Sequence, residues 1–206
     1  MFEDRQQAGF LLAQKLEKFA DKPDVLVLGL TRGGVIVAKV ISTFLNASFD
    51  ALVVRKIGAP ENPELAIGAV APKNTVFWNE ELVKSLRITK EEKENMRILK
   101  GAERNLQEKL LRGNKPLAIL GKTVILVDDG VATGASVLSA LKFLKKQKAK
   151  EVVLAVPIIA KDVLRDIKKY FDMVISLKIE KEFYAVGQFY KDFPQVSNEE
   201  VIKLLK

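Results

Sequence analysis

The sequence predicts an α/β fold: a three-layer parallel sheet with helices on both faces, interrupted by an inserted flap or helical excursion and closed by a C-terminal hood. Three observations predict it. Short runs rich in Val, Ile and Leu occur at Val25–Leu30, Val124–Val127 and Glu151–Pro157, and such runs read as strands buried on both faces. The first two lead into loops of small residues and then into apolar residues at helical spacing. Strand–helix alternation of this kind gives a parallel sheet with right-handed crossovers. At 206 residues the chain can build one domain with a substantial core. We read it as a single domain over residues 1–206, with a core of about 1–56 and 116–180, an excursion over 57–115 and a tail over 181–206.

Residues 4–20 set Phe10, Leu11, Ala13, Leu16 and Phe19 among charges, which predicts an amphipathic helix ending near Asp21-Lys22-Pro23. Strand Val25–Leu30 runs into Thr31-Arg32-Gly33-Gly34, then an apolar-periodic helix from Val35 to Leu45. That loop is neither the Gly-x-Gly-x-x-Gly dinucleotide pattern nor a Walker loop. Asp50–Arg55 predicts a third strand, with Arg55-Lys56 at its end, where α/β sheets hold ligands. The alternation then breaks. Gly58–Glu64 is turn-rich, and Leu65–Val70 with Thr75–Trp78 predicts a hairpin around Ala71-Pro72-Lys73-Asn74. Thr89–Arg112 predicts one long helix with Met96, Leu99, Ala102, Leu106 and Leu110 as its apolar stripe and its charges solvated. Past the central strand come a helix to Gln147, a strand at Glu151–Pro157, a helix at Lys161–Tyr170 and a last strand at Met173–Leu177.

The stretch that carries most information is Val124 to Ser136: an apolar strand, the pair Asp128-Asp129, and the small-residue turn Ala132-Thr133-Gly134-Ala135-Ser136 before a helix. A turn at a helix start points backbone N–H groups at a common centre, and the helix dipole favours an anion there. The acid pair suits sugar hydroxyls or a metal held through water. This stretch resembles the ribose-5-phosphate signature of the type I phosphoribosyltransferases, and Thr31-Arg32-Gly33-Gly34 resembles their pyrophosphate loop. The overall arrangement is similar to small bacterial and archaeal phosphoribosyltransferase-like proteins of unassigned acceptor.

The resemblance implies transfer of ribose 5-phosphate from phosphoribosyl pyrophosphate to a nitrogen nucleophile, with Mg²⁺ held mainly by substrate and water near Asp128 and Asp129 rather than by a protein-only cage. It implies 5-phosphate binding by Ala132, Thr133, Gly134, Ala135 and Ser136, and ribose binding by Asp128 and Asp129. Pyrophosphate falls to Thr31, Arg32, Gly33, Gly34, Arg55 and Lys56. Arg32, Lys56, Asp128 and Asp129 then carry the catalysis. It also implies strain at the Thr31–Arg32 peptide, up to a cis bond, that would aim an amide at the ligand. The excursion corresponds to a loop that closes over the site. The aromatic tail from Phe183 to Val196 is a candidate acceptor hood, with Phe183 and Tyr184 as stacking groups and Gln188 as an edge reader. Ala132 stands where 6-oxopurine enzymes carry a proton-accepting Asp, so hypoxanthine and guanine lose support as acceptors.

Composition narrows the chemistry further. The chain has no His and no Cys, which excludes the commonest general base, thiolate metal sites and disulfides. No apolar run approaches the roughly 20 residues of a membrane span, and the first residues lack the order of a signal peptide; a cytoplasmic protein is expected. A net charge of +8 suits a polyphosphate and would equally suit nucleic acid. No helix-turn-helix, zinc or repeat module is evident, so nucleic acid is not the expected partner. A homodimer is expected from the resemblance. The alternative reading is a non-catalytic sensor of phosphoribosyl pyrophosphate that regulates nucleotide metabolism.

Overall fold

The computed structural model describes residues 1–113 and 115–206. Its centre is a five-stranded parallel sheet in the order β2 (Ser48–Leu52), β1 (Val25–Leu30), β6 (Thr123–Val127), β7 (Glu151–Ala160), β8 (Met173–Glu180). Every residue of β1 and β6 is buried, as their uninterrupted apolar sequences require. Successive side chains of a strand face opposite ways, and this sorts the core into two layers. Leu26, Leu28, Val124, Leu126 and Leu154 pack with α5 (Ala135–Lys146) and with Ile167 at the end of α6 (Lys161–Ile167). Val25, Val27, Ile125 and Val153 pack with Leu12 of α1 (Arg5–Lys15) and with Val37 and Ile41 of α2 (Gly33–Leu45). The expected three layers are therefore present. The first helix is shorter than its periodicity suggests, ending at Lys15 before a 3-10 turn at Glu17–Phe19.

The excursion is more structured than its sequence implies. It holds a second, antiparallel sheet of β3 (Arg55–Ala59), β4 (Asn62–Ala71) and β5 (Thr75–Trp78). The expected hairpin is β4–β5, and β3 is an addition that the sequence pattern does not predict. The predicted strand over Asp50–Arg55 is corrected accordingly. β2 stops at Leu52, buried Val53 and Val54 carry the chain across, and Arg55-Lys56 opens the second sheet. An apolar run continuous from Ala51 to Val54 conceals such a break, because strand and crossover are equally buried. The second sheet is seated on α5: Ala66, Ala69 and Ala71 belong to the same core as Ala140 and Leu144, and Ser139 Oγ donates to the Thr75 carbonyl at 3.1 Å.

Beyond α3 (Glu80–Ser85), α4 (Lys90–Arg112) starts at a capping box made by Thr89 and Glu92. Its orientation reverses the expectation for all of the apolar stripe but Met96, which packs against the core of the second sheet. The face against the protein carries Gly101, Arg104, Leu111 and Arg112, while Leu99, Ala102, Leu106 and Leu110 face outward. The two buried arginines of the inner face are satisfied by charge pairing, Arg104 with Glu108 and Arg112 with Glu108 and Asp50. Arg112 donates from Nε and Nη2 to the two carboxylate oxygens of Asp50 at 2.7 and 2.6 Å, which fastens the helix end to β2. The chain closes with α7 (Asn198–Leu205), a helix not expected in the tail, whose Val201 packs with Val35, Val53 and Leu111. Among the described residues, no helix is long and apolar enough to cross a membrane.

Candidate active site

Strand order places the site. β1 and β6 are neighbours with Gly29 opposite Val127, so the loops leaving them begin side by side. The helix after β1 lies on one face of the sheet and the helix after β6 on the other. The two loops must diverge, and a crevice opens between them at the carboxyl edge, as at the switch point of any open α/β sheet.

Both sequence loops border that crevice. The peptide bond between Thr31 and Arg32 is cis. Gly33 and Gly34 stand directly against the acid pair: a Cβ on Gly33 would collide with Asp129 Oδ2, and one on Gly34 would lie 3.0 Å from Asp128 Oδ1 and 2.7 Å from the Val127 carbonyl. Only glycine lets the first loop come this close to the end of β6. On the other side Gly134, at φ 76°, turns the chain into α5, and no side chain caps that helix. The first-turn amides of α5 are thus left to an external acceptor. Lys56, Asp128 and residues 130–137 surround this turn, which places Ala132, Thr133, Gly134, Ala135 and Ser136 in one recess.

The two carboxylates differ in their surroundings. Asp129 accepts from Arg5 Nε at 2.8 Å, and Arg5 also donates from Nη1 to the Pro194 carbonyl at 2.9 Å. The Arg5 guanidinium lies 3.7 Å from the centre of the Phe193 ring. Tyr190 donates its hydroxyl to the Asp129 carbonyl at 2.6 Å; burial, with the negative charge of Asp129 adding to it, pushes that phenol's pKa up. Asp128 has no such counter-ion in contact. Burial and the adjacent Asp129 raise its pKa well above the usual carboxylate range, with Lys56 opposing them. Sequence reading missed Arg5, Tyr190 and Phe193. Arg5 lies 124 positions from its partner, and a basic residue in a first helix gives no local sign of a distant carboxylate.

A cavity of about 320 Å³ joins these parts, at the lower end of the range for small-molecule sites. Thr31, Arg32, Gly33, Arg55, Lys56, Asp128, Asp129 and Ser136 all line it. Two of its polar atoms, Thr31 Oγ1 and Arg55 Nε, are buried without a hydrogen-bond partner, which is costly unless a ligand supplies one. Two further lining residues, Lys100 and Glu103, come from α4, where the sequence shows only a solvated charged face. They pair at 2.8 Å, and Glu103 lies 3.8 Å from Arg55.

The three acceptor candidates fall elsewhere. Phe183 packs on Phe189 with ring centres 5.0 Å apart, and Tyr184 is 87% exposed. Gln188 spends its amide on the tail itself, accepting from the Tyr184 and Ala185 N–H groups and donating to the Glu182 carbonyl. The tail residue that does line the cavity is Val186. Among the described residues, no cluster of three or more His, Cys, Asp or Glu side chains offers a metal cage. The half-buried Asp128, beside Asp129 and with no counter-ion in contact, nevertheless favours a cation, and its hard oxygen atoms fit Mg²⁺ with most ligands supplied by substrate and water.

Comparison with known proteins follows the same outline. The family model "Phosphoribosyl transferase domain" matches residues 3–193. The chain is 38% identical over 211 aligned positions to a Mycobacterium tuberculosis protein named "Putative phosphoribosyl transferase", covering all of this chain and 46% of that protein. The chain therefore spans about half the length of the curated relatives it matches. The crystal structure of TT1426 from Thermus thermophilus superposes with a TM-score of 0.81 at 35% identity, covering 99% of this chain and 97% of that one. The AQ2163 protein of Aquifex aeolicus shares the fold at 12% identity, with a TM-score of 0.52 over 85% of this chain and 74% of its own.

Proposed function

The chain belongs to the phosphoribosyl transferase family, and from that premise we propose that it moves ribose 5-phosphate from phosphoribosyl pyrophosphate to a nitrogen acceptor, a nucleobase, releasing pyrophosphate. The observation that supports this most is the shared cavity. Thr31–Gly33, Arg55-Lys56, Asp128-Asp129 and Ser136 border one space of substrate size, although they come from three separate segments of the chain.

In this reading the α5 turn, with the Thr133 and Ser136 hydroxyls, receives the 5-phosphate, because uncapped amides and the helix dipole both favour an anion. Asp128 and Asp129 receive the ribose hydroxyls. Arg32, Arg55, Lys56 and the Gly33–Gly34 amides receive the pyrophosphate. Bond breaking at C1 leaves positive charge on the ribose and negative charge on the departing diphosphate. Fixed cations on one side and fixed carboxylates on the other match that separation, and preorganised charge of this kind is the largest lever an active site has. Asp128 would contact Mg²⁺ carried on the substrate; the ion's contribution is to neutralise the diphosphate. Ala132 has no proton to take or give, so the acceptor must lose its proton to solvent, substrate or a carboxylate. The proposal includes a cytoplasmic homodimer.

Titration calorimetry with phosphoribosyl pyrophosphate and Mg²⁺, paired with a pyrophosphate-release screen over purines, pyrimidines and small amines, tests it. Binding that weakens at least about tenfold in Asp128→Asn, near 1.4 kcal/mol, together with release driven by one acceptor class, is the expected result. Binding without release for every acceptor would favour the sensor, and no binding would remove the family's substrate from this cavity.

A further inference from the structure

A second cavity, of about 390 Å³, opens where α4 passes the β4–β5 turn and the end of α5. It shares no described residue with the first. Buried Pro72, Arg104 and Phe143 and half-buried Leu117 line it, together with exposed Lys73, Lys109 and Lys115. Its polar side chains are donors with little left to accept. Glu108 is the one carboxylate among the described lining residues, and each of its oxygens already accepts from an arginine, Oε2 from Arg104 at 2.6 Å and Oε1 from Arg112 at 3.3 Å. Gln147 Oε1 accepts from Lys73 Nζ at 2.7 Å, and Asn105 Oδ1 accepts from Arg104 Nη2. Lysine and arginine have no acceptor, so both amide oxygens must face them, which leaves both NH₂ groups as donors. Asp50 answers the charge of Arg112 and Glu108 that of Arg104, so the three lysines give the cavity a positive surplus.

We propose that this cavity is a second ligand site, one that takes a nucleotide: an organic phosphate with a flat, acceptor-rich ring. Phosphate oxygens only accept, and lysines with a guanidinium are the side chains that bind them most strongly. The ring nitrogens and carbonyls of a base accept as well, which matches the two amide NH₂ groups. The faces of the base are apolar, which matches Pro72, Leu117 and Phe143. An apolar lining with a few directed polar groups, in this range of volume, is what small-molecule sites share. The two cavities also share their framework. Glu103 of α4 lines the first and its neighbour Arg104 lines the second, about 100° further round the helix. α5 starts at the Gly134 turn beside the first cavity, and its Phe143, about 12 Å further along the axis, lines the second. The inference does not rest on the proposed reaction.

Titration calorimetry of the whole chain with adenosine 5′-monophosphate tests it, with inorganic phosphate as a second probe. The nucleotide should bind at least about tenfold more tightly than phosphate, near 1.4 kcal/mol, because phosphate alone cannot use the apolar residues or the amides. Lys73→Glu combined with Lys109→Glu should weaken nucleotide binding at least about tenfold. Both positions are exposed, so circular dichroism should stay unchanged. Lys73→Arg combined with Lys109→Arg should retain most of the binding, since the positive charge is kept. A nucleotide could also enter the first cavity, so Lys56→Ala is the opposite control: the binding that the paired lysine variant weakens should survive it. No nucleotide binding, binding indifferent to Lys73→Glu with Lys109→Glu, binding lost in Lys56→Ala, or phosphate bound as tightly as the nucleotide would each overturn the proposal. Because phosphoribosyl pyrophosphate binding is measured separately, the second site and the proposed reaction can fail independently.

Discussion

Two adjacent carboxylates at the end of β6 have opposite electrical surroundings, and the difference makes them separable by mutation. Asp129 is paired with Arg5, whereas Asp128 has no counter-ion in contact and is shifted up by desolvation and by the neighbouring Asp129 charge. A carboxyl whose pKa is raised on folding holds its proton more tightly in the native state than in the unfolded chain. Its contribution therefore favours folding below the ordinary carboxylate pKa and is lost as pH rises through the raised value. Asp128→Asn removes that loss. The variant should be more stable than the wild type at neutral pH by roughly 0.5–2 kcal/mol, the usual gain from relieving a functional-site conflict, with the advantage shrinking as pH falls. Calorimetric melting at acid and neutral pH checks this, and the same variant should bind phosphoribosyl pyrophosphate and Mg²⁺ more weakly. Arg5 is a positioning residue, since it acts through Asp129. Arg5→Ala should destabilise by about 3 kcal/mol, as breaking a buried pair does. Arg5→Lys should recover part of that stability yet not the substrate KM, because an ammonium cannot make the Nε and Nη1 contacts together. Equal KM for Arg5→Lys and the wild type would reduce Arg5 to a structural role.

At the scale of elements, what was legible followed periodicity and local chemistry. β1 was placed to the residue, α2 and β6 within two, and the loops after β1 and β6 both border the cavity, because buried parallel strands and glycine turns leave short-range signatures. The start of β3 was not legible, since burial continues unbroken from Ala51 to Val54. The facing of α4 was not legible either. A stripe shows that a helix has two faces, and which one turns inward was decided by Arg112 reaching Asp50, 62 positions away. α7 did carry a signal, Ser197 three residues before Glu200, and it forms the capping box that this spacing describes. The hood illustrates the same limit, since its aromatic content was visible but its contact with the site, Val186 against Gly130, was not. That contact is testable. A Cβ at Gly130 would lie 2.5 Å from Val186 Cγ1 and 2.8 Å from Ile158 Cγ2, so Gly130→Ala should push the hood outward at about 1–3 kcal/mol of overpacking. Hydrogen exchange should quicken over Val186–Phe189 and stay unchanged in β6, and Val186→Ala on the same background should reverse it. Faster exchange in β6 instead would mean that the strain spreads into the sheet.

At the scale of the molecule, the question is whether the excursion over residues 57–115 is a movable attachment or part of the fold. Sequence pattern alone favoured an attachment, because strand–helix alternation stops there. Packing favours integration: Ala66, Ala69 and Ala71 of β4 share one core with Leu126 of β6 and Leu144 of α5, and α4 is tied to β2 through Arg112 and Asp50. Neither sheet can then lose its structure without exposing apolar surface of the other, and a domain of this kind unfolds as one unit. The chain supplies its own probe, for its single Trp, Trp78, lies in β5 of the second sheet, while the far-ultraviolet circular dichroism sums over all helices and strands. In urea the Trp78 fluorescence and circular dichroism transitions should share one midpoint and one slope. Trp78 changing at a lower concentration would make the excursion a separate unit. Any closure over the cavity would then have to move the whole second sheet rather than the exposed turn at residues 60–61 that joins β3 to β4. Coincident curves would restrict closure to that turn, the part of the excursion that crosses least of the shared core.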